Sequence, residues 1–180
     1  MRYDPVLRKQ ARLFPVLAAA LWGVLLAAPA SAAERKVAIF DFELIDSSLE
    51  GQMMGQNPGE QARLARMAPM LGEDMKDEAN LALVDIAPVR SKAQSQNLQS
   101  CGNCAVTLAR EIGADIAVTG TVQKVSNLIL NINAYAFDVK SGKALARGSA
   151  DIRSNTEESW NRGLHYLWHN TLKKQIEAVR

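Results

Sequence analysis

Two cysteines and two histidines carry most of the reactive chemistry open to this 180-residue chain. Cys101 and Cys104 enclose Gly102 and Asn103, a C-x-x-C spacing at the head of a helix-like run over 101–112 that stops at Gly113. Three chemistries suit that spacing. The pair can close a local disulfide, act as a redox dithiol whose thiol pKa a helix N-terminus lowers, or supply half of a metal site. The polar stretch over 88–99 parts the motif from the strand before it, unlike the thioredoxin arrangement. A c-type haem is excluded, because Ala105 stands where histidine is required.

His165 and His169 lie four residues apart on the last helix-like segment, so they share one face. Imidazoles at that spacing can chelate a transition-metal ion, but Glu158 on the same side is too far along to join them. Position 166 is Tyr, so the zinc-protease motif is absent. The pattern alone favours two solvent-facing histidines flanking a buried stripe, and neither a metal nor a cofactor is assigned. Asp41, Glu43, Asp46 and Glu50 do not match a calcium loop and read as a solvated strand end. Met67 and Met75 fall at core positions, whereas Met53 and Met54 sit in a polar segment with no core role. Nucleophile-elbow, phosphate-loop and dinucleotide motifs are missing, and both histidines occupy one helix, which leaves few routes to a catalytic triad. A non-catalytic protein is expected.

The elements that must position these residues follow from periodicity. Residues 36–42 (KVAIFDF) and 81–86 (LALVDI) read as short buried strands. Between them, 47–59 reads as a loop, followed by a helix with Leu64, Met67, Leu71, Met75 and Ala79 on one face and a kink or displaced start at Pro69. Residues 88–99 read as a short helix and turn. Three strand-like runs follow over 116–125, 127–140 and 144–153, the last two joined by a hairpin turn at 140–143. In the middle run, Leu128, Leu130, Ile132, Ala134 and Ala136 share one face, with Ile129, Asn131, Asn133, Tyr135 and Phe137 on the other. Ser154-Asn155-Thr156-Glu157 matches a capping box opening a helix striped with Trp160, Leu164, Leu167, Trp168, Leu172, Ile176 and Val179. The predicted class is α/β, a mixed sheet in the order β-α-β-α-(α)-β-β-β-α with helices packed on it. Its half-polar face presents Asn131, Asn133 and Tyr135 beside Arg147, Ser149, Asp151 and Arg153, a natural place for a partner.

Composition sets the class and the compartment. The chain is 48% hydrophobic and 22% charged, with 21 Lys+Arg against 19 Asp+Glu, ordinary for a globular domain and unlike a nucleic-acid binder. Residues 1–32 read as a signal peptide. Arg2, Arg8, Lys9 and Arg12 precede an Ala/Leu-rich run that closes on Ala30-Ser31-Ala32, small residues suited to cleavage near Ala32. Pro15, Pro29 and that cleavage site argue against a retained anchor, although the run approaches the ~20 residues that span a bilayer. Its removal takes four basic residues and one acidic residue, so the net positive charge belongs to the leader. Residues 33–180 are then one exported domain with no further membrane span, expected in the periplasm, where Cys101 and Cys104 pair as a structural disulfide.

The runs VQKVSNLILNINAYAFDVKSGKALARGSADIRSNTEESWNRGLHYL, FDFELIDSSLEG and SCGNCAVTLAREIGAD resemble the marks of an exported proteobacterial family, a domain of unknown function of the DUF3280/DUF2380 type. That resemblance implies a periplasmic location and supplies no catalytic residues. More distantly, KVAIFDF, LALVDI, AREIGADIAVTGTV and DVKSGK resemble the N-terminal domain of the Tol-system protein TolB and the curli-secretion and penicillin-binding-protein-activator lipoproteins. Those relatives imply an envelope interaction module. The expected function is therefore a periplasmic binding or assembly domain engaging an envelope protein through its open sheet face or the 47–59 segment. A thiol-redox or metal-handling accessory using Cys101 and Cys104, serving an exported oxidoreductase, is the alternative.

Overall fold

The computed structural model describes residues 34–76 and 80–179. The signal peptide expected over 1–32, and Ala79 of the helical stripe, lie outside the described residues. Strand β1 (Arg35–Ile39) leads through Phe40–Phe42 into β2 (Glu43–Asp46). Helices α1 (Leu49–Met54) and α2 (Pro58–Lys76) follow, then β3 (Leu81–Leu83), α3 (Arg90–Gln94) and α4 (Cys104–Glu111). The long strands β4 (Ile116–Ser126), β5 (Ile129–Asp138) and β6 (Ala144–Ile152) form a meander, and α5 (Glu157–Leu167) passes through a π-helical turn (Trp168–Leu172) into α6 (Lys173–Glu177).

The sheet is mixed, in the order β3-β1-β4-β5-β6, with β2 also on β4. β1 and β2 pair in parallel with successive halves of the same β4 edge, Val37 opposite Ile116 and Leu44 opposite Val122. Phe42 fills the gap between them. Its ring lies against Gly120, where a Cβ would come within 2.2 Å of it, so only glycine admits this crossing. The meander is antiparallel, as hairpin connections require.

Two apolar clusters flank the sheet. On one face Val37, Ile116, Val118, Val122, Leu130, Ile132, Ala134 and Ala136 meet Met67, Leu71 and Met75 of α2. The stripe Trp160, Leu164, Leu167, Trp168, Leu172 and Ile176 completes that layer. The close approach depends on Gly163, where a Cβ would stand 2.6 Å from Ile152 Cγ2. On the other face Ala38, Phe40 and Ala117 meet Ile86, Val89, Leu98, Val106, Leu108 and Ala109, contributed largely by α3, α4 and their flanking loops. Among the described residues this second layer covers the β3-β1-β4 side and reaches only Phe137 at the far end of β5.

Several expectations need correction. The 47–59 segment is not wholly loop: Ser48 accepts the Gly51 amide at 3.0 Å and caps α1, which buries none of its side chains. β2 was read only as a strand end. The 81–86 strand narrows to three residues, because Asp85 turns the chain by accepting the Ala87 amide at 2.9 Å. Helix α2 runs through Pro69, which forfeits one helical hydrogen bond without ending the helix. The capping box is displaced. Thr156, not Ser154, caps α5 by accepting the Ser159 amide at 3.3 Å, and Glu157 turns away to Arg66. Leu128 lies in the β4–β5 turn and Val179 past α6, and both are exposed.

Candidate functional site

The uncovered part of the second sheet face gathers the residues singled out as a possible interaction surface. Cross-strand register sets Asn131 opposite Asp151, Asn133 opposite Ser149 and Tyr135 opposite Arg147. Asn131 donates to Ser149 at 2.8 Å and to Asp151 at 2.6 Å, and Asn133 donates to Thr121 at 3.4 Å. These bonds fix the amides in place, so the surface is held before anything binds. Arg153, on the same alternation, lies just past the end of β6 and is exposed. Alternation also brings Ile45, Val125 and Ile129 onto this face, at 45%, 58% and 53% exposure. The result is a polar and aromatic field with an exposed apolar end. Beyond Arg147, the Gln175 side chain of α6 bonds both backbone groups of that residue, at 3.1 and 2.9 Å, and blunts the outer edge of β6.

Edge strand β2 borders a cleft of about 930 Å³ walled by α2 on one side and α3 with the 95–98 turn on the other. Asp41 in its mouth meets Arg90 at 3.4 Å and Gln94 at 3.2 Å. Glu43 accepts the Leu98 amide at 3.2 Å, and burial pushes its carboxyl above the ordinary glutamate range against the effect of that bond. Ala65 and Pro69 of α2 also line the cleft, where the proline leaves the Ala65 carbonyl without its helical donor. Among the described lining residues Ser95 carries the one hydroxyl, and it donates to the Lys92 carbonyl at 2.9 Å. No nucleophile–base pair is assembled there.

Behind β2, on the helix-covered side, Lys124 is 1% exposed and points inward from β4. Its ammonium meets Glu60 at 2.6 Å, Glu50 at 3.1 Å and Asp46 at 3.5 Å. Burial would lower the Lys124 pKa, but the bonds to Glu60 and Glu50 outweigh it and hold the ammonium above the ordinary lysine range. Asp46 is likewise held low: burial opposes it, and the Ser48 bonds and the Lys124 charge prevail. Glu50 is lowered by hydrogen bonds from Lys124 and Asn127. Asn155 extends the network by donating to Glu60 and accepting from Arg63 and from the Trp160 indole, both at 3.1 Å. So the acidic group read as a solvated strand end is in part the counter-charge of a buried lysine. The signal was present in the sequence, since Lys124 shares its parity with inward-facing Val122.

The cysteines stand with Cα atoms 5.8 Å apart, compatible with a disulfide, where the turn after α3 enters α4. They pack at the border of the second apolar layer. His165 and His169 lie side by side with ring centroids 4.1 Å apart; His165 is exposed, whereas His169 is half-buried rather than solvent-facing. What the sequence could not show is Asp74 of α2, whose carboxylate lies 3.0 Å from His165 Nδ1.

A family profile described as "Protein of unknown function (DUF2380)" matches residues 35–172, from the first residue of β1 to the end of the π-turn. The chain belongs to this family. The profile spans the open face, the cleft, the cysteines and the histidines together. No curated relative matches the chain. Among solved structures, it is similar to the C-terminal domain of LpoB from Salmonella enterica, at 14% identity, 71% of this chain, 88% of that chain and a TM-score of 0.45. It is also similar to lipoprotein GNA1162 from Neisseria meningitidis, at 19% identity, 68% and 82% coverage and a TM-score of 0.45. TolB from Acinetobacter baumannii matches at 12% identity over 78% of this chain and 29% of that one, with a TM-score of 0.42.

Proposed function

We propose that this member of the family is an exported, non-catalytic binding domain that holds an envelope protein against its open sheet face. The observation that carries this reading is the incomplete second layer. Helices α3 and α4 cover one half of that face and leave Asn131, Asn133, Tyr135, Arg147 and Asp151 beside exposed Ile45, Val125 and Ile129. Tyr135 and Arg147 beside the covered half, with apolar side chains at the opposite end, give the composition of a protein-binding surface. The leader-like residues 1–32 support export, and in that compartment Cys101 and Cys104 close a structural disulfide that pins the start of α4. Among the described residues no helix is long and apolar enough to cross a membrane.

A photoreactive amino acid placed at Tyr135 in living cells tests this reading. One discrete crosslinked envelope protein is expected from position 135, and none from exposed Lys174 of α6. The same adducts from both positions, or none from 135, would contradict it.

A further inference from the structure

We propose that Asp74, His165 and His169 form a binding site for a borderline divalent transition-metal ion, Zn²⁺ or Cu²⁺. The site is independent of the cysteine pair and of the sheet face. One ligand atom from each of the three residues lies within 4.8 Å of the other two. Around a tetrahedral ion bonded at about 2.0–2.1 Å, neighbouring ligand atoms stand roughly 3.3 Å apart, so side-chain rotation closes the remaining gap. The residues come from two packed elements: Asp74 from the last turn of α2, and the imidazoles from α5 and the π-turn that continues it.

Four features distinguish this cluster from a chance surface contact. Asp74 is only 21% exposed while His165 is 63% exposed, so the carboxylate forms the floor and one side stays open to solvent for a further ligand. The carboxylate meets His165 Nδ1 with both oxygens, at 3.0 and 3.1 Å, which fixes the ring either as a co-ligand or as an oriented donor through Nε2. The C-terminal end of α2 adds the negative end of its dipole, favourable to a cation. Finally, His169 sits in the five-residue π-helical turn, a distortion that recurs where helices carry function. The two imidazoles, with ring centroids 4.1 Å apart, stand close enough to share one ion. Nitrogen donors beside one carboxylate suit zinc or copper and give Ca²⁺ or Mg²⁺ little purchase.

Calorimetric titration of the protein, purified without a polyhistidine tag, with ZnCl₂ and CuCl₂ is the test. One equivalent is expected to bind. Asp74→Asn should weaken binding about tenfold or more, and His165→Ala/His169→Ala should abolish it, with circular dichroism confirming the fold of each. The Cu²⁺ form should show nitrogen hyperfine structure in electron paramagnetic resonance, lost in the double variant. Cys101→Ser/Cys104→Ser should bind as the parent does. Absence of saturable binding, retention of full affinity by the histidine double variant, or loss of binding in the cysteine variant would each overturn the site.

Discussion

At the scale of single residues, Lys124 carries a buried charge that meets three carboxylates. Removing its charge strands Glu60, itself 1% exposed, with no compensating cation, so Lys124→Met should cost about 3–5 kcal/mol of unfolding free energy in urea. Lys124→Met/Glu60→Leu should recover much of that loss, because the penalty lies in the unpaired charge rather than in the missing pair. The same cluster sets a pH dependence. Asp46 and Glu50 titrate lower in the folded chain than in the unfolded one, so their contribution is complete above the ordinary carboxylate range. It fades as pH falls through their depressed values. Lys124 has the opposite sign: its contribution is complete below the ordinary lysine value and is lost only as pH rises through its raised one. Denaturation curves from neutral to acidic pH should therefore fall less steeply in Asp46→Asn/Glu50→Gln than in the parent. The residues of the sheet face were legible in the sequence because a strand alternates strictly, and Asn131, Asn133 and Tyr135 kept that period. Asp74 was not, since 91 residues separate it from His165 and only the packing of α2 on α5 joins them.

At the scale of elements, two local rules decide how the chain enters its helices and crosses its sheet. Thr156 is the cap of α5, so Thr156→Ala should lower stability by about 1 kcal/mol, and an altered Glu157 should matter less, being tied to exposed Arg66. The sequence favoured Ser154 because a Ser three positions before a Glu satisfies the box pattern. The chain chose the next hydroxyl, and Ser154 pairs instead with the Ser159 hydroxyl at 2.5 Å. Gly120 governs the other crossing. A methyl group there collides with Phe42, and Gly120→Ala should destabilise by about 1–3 kcal/mol in the same urea assay. β2 was hidden because four residues, two of them acidic, carry too little periodicity to announce a strand. Its existence depends on β4 being long enough to receive β1 and β2 end to end along one edge. The meander and the Trp-striped final helix, by contrast, were plain, because long elements repeat their period several times.

At the scale of the whole molecule, one face of the sheet is closed by α2, α5 and α6, and among the described residues the other is left half open. That asymmetry was implicit in the polar side of the middle strand, but its extent depended on where α3 and α4 came to rest. Their coverage rests partly on Cys101 and Cys104, which border the second layer. Protein taken from the oxidising compartment should contain no free thiol in a denaturing titration, and Cys101→Ser/Cys104→Ser should shift the melting temperature only modestly, since the loop it closes is short. Two titratable thiols would rule out the disulfide. Whether the open face holds a partner is decided by affinity capture from the envelope fraction. The parent and Tyr135→Ala/Arg147→Glu should be compared at equal loading, with matched melting curves. The parent should recover a protein, confirmed by reciprocal capture, that the double variant loses. Equal recovery of every captured protein by both forms would contradict a partner on this face.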